Sequence, residues 1–261
     1  MDLGLGGKTA LVTGASEGIG SAGARQLADE GVRLAICART QATPNKTAAE
    51  IARTTAVEIV PIPAGLRGLA GCQGVVAPAA GRLGGIDILV DNAGPSAFGA
   101  LVGAPDHAFV GANNGKLLRH IRCTKGRHPA HATARWRHHR QHHRRPPASR
   151  SRACPGQRRP RRDPDVQQGA LDRAGPLYIR VNSVAPGCIQ TAGADRLLEA
   201  TAGAQGTSPG VLLGQLVRTI PSGRAGTIDD IADAVCFPAS ARAADINGAA
   251  LVVDGSEPVV S

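Results

Sequence analysis

Eight residues near the start of the chain, Thr13-Gly14-Ala15-Ser16-Glu17-Gly18-Ile19-Gly20, combine a turn with three positions that carry no Cβ. The apolar run 8–13 precedes them. Residues 19–30 follow, with Ile19, Ala22, Ala24, Leu27 and Ala28 at helical spacing and Gly31 as a natural stop. A strand that turns through glycines into a helix offers free backbone N–H groups and the positive end of the helix dipole, with no side chain in the way. That is the chemistry that holds a pyrophosphate, and the strand before and helix after make the motif specific.

Groups able to move protons or bind metals are sparse. The chain has one tyrosine, Tyr178, and four lysines, at positions 8, 46, 116 and 125. His138/His142 and His139/His143 are spaced i,i+4, which on a helix could clamp a divalent metal. They lie, however, in an Arg-rich and Pro-rich stretch with little reason to form a helix, so no metal site is predicted. The six cysteines (37, 72, 123, 154, 188, 236) are scattered with no C-x-x-C pair, which suits a reduced compartment better than a disulfide framework.

The elements that must position the glycine loop follow from periodicity. Strands are predicted over 8–13, 32–38, 56–62 and 86–90, with helices over 19–30, 45–55 and 68–83, the last weakened by Gly74 and Pro78. After a gap the alternation returns with a strand over 179–184, mixed loop and helix over 193–219, a helix over 227–237 and a strand over 249–253. Alternating strands and helices make βαβ units. The expectation is a single α/β domain over 1–261, a Rossmann-type doubly wound parallel sheet with both faces covered.

The gap is a basic insert. The chain carries a formal net charge of +10, but residues 127–162 hold 12 Arg and no Lys, Asp or Glu, so the remainder sums to −2. A pI of 10.2 therefore says nothing about the protein as a whole. From 126 to 162 there is no Val, Ile, Leu, Met, Phe or Tyr, while five Pro and six His interrupt the run. Such a segment is expected to supply neither a core strand nor a packed helix, and 126–173 is set apart as aberrant, leaving the fifth strand and its following helix in doubt.

The pattern T-G-x-x-x-G-x-G resembles the short-chain dehydrogenase/reductase family. The resemblance continues in Asp91-Asn92-Ala93-Gly94, where the family usually has N-N-A-G. It extends through Ile179-Arg180-Val181-Asn182-Ser183-Val184-Ala185-Pro186-Gly187 with Ile189 and Thr191, and ends in Val252-Val253-Asp254-Gly255. It implies that Gly14, Ser16, Gly18, Ile19 and Gly20 hold the phosphates and adenosine ribose of a nicotinamide dinucleotide. Asn92, Ala93 and Gly94 would line the nicotinamide-side ribose, and Pro186, Gly187, Ile189 and Thr191 the nicotinamide. Arg39 follows the second strand, where NADP-preferring members place a base, and a guanidinium there can pair with a 2′-phosphate. Glu17, also in the cofactor loop, would repel the same phosphate. On balance NADP(H) is favoured over NAD(H).

Family chemistry pairs hydride transfer with a Tyr hydroxyl that exchanges a proton, a Lys four residues later and a Ser that orients the substrate. No Y-x-x-x-K exists in this chain, since the residue four after Tyr178 is Asn182. The family interval puts the Ser, Tyr and Lys positions near His143, Gly156 and Pro160, all within the insert, so no catalytic residue is assigned. Codons for 136–144, shifted by one base, permit Gly-x-Ile-Ile-Val-Asn-Ile-Ile, a strand-like sequence, and the insert is read as an out-of-frame translation.

The resemblance therefore implies an oxidoreductase of a secondary alcohol or ketone whose chemistry is impaired in this sequence. The alternatives are a dinucleotide-binding pseudoenzyme and a nucleic-acid binder acting through 127–162. The near-neutral remainder and 2% aromatic content count against the last. The expected partners are a small alcohol or ketone and, by family, further copies of the chain, with no membrane. The opening residues show no basic n-region or apolar h-region, and the expected location is the cytoplasm.

Overall fold

The computed structural model describes residues 1–40, 42–66, 68–94, 122–123, 137–142 and 179–256, with 137–142 described by backbone alone. Seven parallel strands form one sheet in the order β3-β2-β1-β4-β5-β6-β7. They are β1 (Thr9–Thr13), β2 (Arg33–Ala38), β3 (Ile59–Pro63), β4 (Ile88–Asp91), β5 (Arg137–His142), β6 (Ile179–Pro186) and β7 (Ala250–Val253). The α-helices whose bounds lie among the described residues are α1 (Gly18–Asp29), α2 (Ala42–Ala52), α3 (Gly68–Leu83), α4 (Ala192–Gln205), α5 (Pro209–Val217) and α6 (Ile228–Ala239). The order runs outward in both directions from β1 and β4, so the carboxyl ends of these two strands flank the switch point where doubly wound folds bind ligands.

Period-two alternation sends strand side chains to two separate cores. Ala10, Val12, Leu34, Ile36, Ile88 and Val90 join Leu27 of α1 and Ile231 and Val235 of α6 on one face. Leu11, Ala35, Cys37 and Leu89 join Val75, Val76 and Leu83 of α3 on the other. Burial on both faces explains why these strands read as unbroken apolar runs. The packing also carries α3 through Pro78 without a break, against its expected weakness, because Val75, Val76 and Ala79 on either side are buried. Helix α2 begins three residues earlier than periodicity suggests, with Pro44 in its first turn. It ends where the Thr54 and Thr55 hydroxyls and N–H groups bond to Ile51 O.

One expectation is corrected. The insert does supply a core strand, because β5 lies between β4 and β6, pairing Ile88 with His138, Asp91 with Gln141 and Val181 with His139. A ladder is built from N–H and C=O groups that every residue except proline carries. Residues 136–145 are a proline-free stretch of the insert, and β4 and β6 each need a partner on that side. The same strand holds His138 and His142 in extended backbone, and His143 lies outside the described residues. At about 3.3 Å per residue, positions four apart on a strand lie about 13 Å apart, against one helical turn.

β6 is fastened to the turn that precedes β7. Arg180 is buried, and its guanidinium donates to the carbonyls of Pro238, Ser240 and Ile246 at 2.8, 3.0 and 3.1 Å. Burial pushes its pKa down to about 10. Asn182 donates to Ile246 O and accepts from Ala249 N, which sets the height of β7 beside β6.

Helix α6 buttresses α1 and starts in a complete capping box. The Thr227 hydroxyl accepts from Asp230 N while the Asp230 carboxylate accepts from Thr227 N. Hydrogen bonds from Arg224 and Thr227 hold the Asp230 carboxyl well below the usual carboxylate range. Two outcomes are expected. Thr227→Ala should cost about 1 kcal/mol in a urea unfolding titration. A carboxylate depressed in the folded state contributes stability that is complete above its unfolded pKa of about 4 and is lost progressively as pH falls toward its lower folded value, so the deficit of Asp230→Asn should be largest near neutral pH and smaller at pH 3. For β5, hydrogen exchange should show amides of 137–142 protected to the same degree as those of β4, and exchange at loop rates would refute its place in the sheet.

Candidate functional site

The glycine loop is built by the ends of β1 and β4 together. The Thr13 hydroxyl donates to Val90 O at 3.3 Å and accepts from Asn92 N at 3.1 Å and Ala93 N at 3.2 Å. Asn92 answers with its amide, donating to Thr13 O at 3.2 Å and Gly14 O at 3.0 Å. Two glycines make this closeness possible. Gly14 adopts φ +67, and a Cβ there would sit 2.8 Å from Ala93 Cα. A Cβ on Gly20 would run into Gly14 O and Asn92 Nδ2. The D-N-A-G segment is thus a structural partner of the loop.

The loop also leans on β2 and α2. Ala15 N donates to Cys37 O at 3.1 Å, two residues before Arg39, and the Thr47 hydroxyl donates to Ser16 O. Arg39 and Ser16 are exposed, and so is Gly94 at the far side of the D-N-A-G turn. Ile19 is buried in the core with Leu27 and Ile231, so only its backbone faces the loop.

The segment after β6 closes the other wall. Pro186 ends the strand, and Gly187 N donates to Val253 O. Ile189 is buried and bridges Gly226, where a glycine leaves room for the isoleucine side chain. Thr191 is buried, caps α4 by accepting from Ala194 N at 3.0 Å, and lies across from Gly18. Between them is a cavity of about 460 Å³ lined by Gly18, Gln190, Thr191, Ala192, Asp195 and Ile228. Glu17 stands at the N-cap of α1 yet makes no capping hydrogen bond. The first N–H groups of α1 are therefore open donors at the cavity's edge, which suits an anionic ligand.

Two contributors went unread in the sequence. Thr13 opens the glycine motif, and its hydroxyl joins the two strand ends; its place in T-G was the available signal. Arg196 of α4 forms a 2.7 Å ion pair with Glu17 across 179 residues, and no local pattern could show that. Behind the site, Asp91 at the end of β4 is buried beside Cys123, whose thiol is pushed far up by its hydrogen bond with Cys72, by burial and by the Asp91 charge. Among the described residues the cysteines are unbridged, and no helix is long and apolar enough to cross a membrane. The positions near His143, Gly156 and Pro160, and Tyr178, lie outside the described residues.

Comparison with known proteins agrees with this architecture. Residues 8–111 match the family model for short chain dehydrogenase, and 170–255 match that for enoyl-(acyl carrier protein) reductase. The chain is 30% identical to L-rhamnose 1-dehydrogenase (NAD(P)(+)) of Azotobacter vinelandii, over 95% of both chains. It is 29% identical to the short-chain reductase protein NovJ of Streptomyces niveus, over 95% of this chain and 93% of that one. A crystal structure of an actinorhodin polyketide ketoreductase with NADPH superposes with a TM-score of 0.81 at 25% identity, covering 95% of this chain and 96% of that one. A glycine loop locked to the end of β4, in a seven-stranded parallel sheet with these relatives along nearly its whole length, makes the chain a member of the short-chain dehydrogenase/reductase family.

Proposed function

We propose that the protein binds a nicotinamide dinucleotide between the glycine loop and the Thr191 end of α4, and takes NADP(H) in preference to NAD(H). The observation that carries this reading is the uncapped N-terminus of α1, opening beside a cavity large enough for part of a dinucleotide. In this reading Gly14, Ser16, Gly18, Ile19 and Gly20 offer backbone to the phosphates. Asn92, Ala93 and Gly94 meet the nicotinamide-side ribose, and Pro186, Gly187, Ile189 and Thr191 meet the nicotinamide. The names of the relatives, one with NAD(P)(+) and one solved with NADPH, support the cofactor class. Arg39, exposed just past β2 and near Ala15, is the base placed to meet a 2′-phosphate.

When bound, the dinucleotide supplies or accepts a hydride. The chain's own part is to hold and orient it, and to manage the accompanying proton. This reading takes a secondary alcohol or ketone as the substrate class and further copies of the chain as partners, on the family resemblance, and the cytoplasm as the compartment. The proton is where this sequence departs from its family, because it contains no Tyr-x-x-x-Lys. Positioned acid–base assistance is worth about 10²–10⁴-fold, and loss of the Lys removes an orienting contact as well. We therefore assign the protein to dinucleotide binding with impaired turnover.

Fluorescence titration should show NADPH binding more tightly than NADH, and Arg39→Ala should weaken NADPH by about tenfold, roughly one charge-assisted hydrogen bond, while leaving NADH nearly unchanged. A preference for NADH would overturn the role of Arg39. Ketone-dependent NADPH oxidation should match a protein-free blank across a broad alcohol and ketone panel. Turnover at ordinary dehydrogenase rates that disappears in His143→Ala would replace this reading with a histidine-based mechanism.

A further inference from the structure

We propose that Arg196 is a positioning residue for dinucleotide binding. It holds the Glu17 carboxylate away from the N-terminus of α1, so that the helix N–H groups stay open to phosphate. The inference rests on the reading of that N-terminus as the phosphate end of the site.

Glu17 sits directly before Gly18, in extended backbone at the N-cap, the position from which a side chain most readily satisfies the first N–H groups of a helix. An acidic group there is also drawn to the helix dipole. The carboxylate nevertheless makes no capping hydrogen bond. Its Oε1 accepts from Arg196 Nη2 at 2.7 Å, and Arg196 follows Asp195, which lines the cavity. Without that partner, the glutamate is an anion tethered one residue from the donors that a phosphate must use. It would compete with the ligand by charge and by occupancy.

The geometry of α4 makes Arg196 dependable for this and little else. Of the α4 side chains only Ala202 is buried, and α5 buries none, so neither helix needs Arg196 for packing. Both partners are well exposed, at 62% and 56%, so the pair adds little to stability. A guanidinium is charged at every working pH, so a cation always faces the loop, and Glu17 above all, with Asp195 and Glu199 on its own helix, favours that form further.

The test uses the full chain and NADPH titration by fluorescence, with NADH as a second probe. Arg196→Gln should weaken binding of both by about three- to fivefold, the size expected when an exposed pair is lost. Glu17→Gln should bind at least as tightly as the parent, and Glu17→Gln/Arg196→Gln should stay within about twofold of Glu17→Gln alone, because the competitor is gone. Arg196→Lys should recover most of the loss, and the thermal midpoint should be unmoved in every variant. A loss in Arg196→Gln that persists in the double variant would mean that Arg196 contacts the ligand itself, and would overturn the proposal. Unchanged binding in Arg196→Gln would overturn it alone, whereas a parent chain that binds neither dinucleotide would overturn the cofactor reading together with it.

Discussion

The joint between β1 and β4 is the constraint on which the rest of this structure depends. It is fastened at both ends by a threonine. At the amino ends, Thr9 donates both its N–H and its hydroxyl to the Asp87 carboxylate, and its hydroxyl accepts from Asp87 N. At the carboxyl ends, the Thr13 hydroxyl and the Asn92 amide tie five backbone groups into one knot. Between these clips the register leaves no freedom, because a one-residue slip would send Leu11 and Leu89 to the wrong core. The height of the glycine loop above the sheet is therefore set from below by β1 and from the side by β4.

That joint also explains why the family's N-N-A-G can appear here as D-N-A-G. The second residue carries the contacts to Thr13 and Gly14, and it is retained as Asn92. The first, Asp91, lies by strand alternation on the side of Leu89, the side where Cys72 and Cys123 are buried. A carboxyl replaces an amide there without touching the loop. What changes is the electrostatic setting of Cys123, whose thiol burial and neighbours push toward the protonated form.

Charge around the site is arranged locally and has little to do with the net charge of the chain. The basic run at 127–162 dominates the total, yet among the described residues the charged groups beside the glycine loop and its cavity include Arg39, Glu17, Arg196 and Asp195. Glu17 and Arg196 neutralise one another. Arg39 stands apart at the end of β2, at the other flank of the loop. The site thus keeps one base on one side and a compensated pair on the other.

The sequence by itself determined the class of fold and the position of the glycine loop, because both depend on patterns that are local in the chain. Alternation of apolar runs with helical spacing places β1, α1, β2, α3, β6 and α6 within a few residues of where they are found. Gly14 and Gly20 mark a turn that no other residue fits. Only the tertiary structure decided the pairing of β5. Its Arg and His residues carry no apolar pattern, and its place is set by the backbone groups of β4 and β6 on either side. The same holds for Arg196. A hydrogen bond spanning 179 residues leaves no periodicity to read, and it exists because β6 delivers α4 to the mouth of the glycine loop.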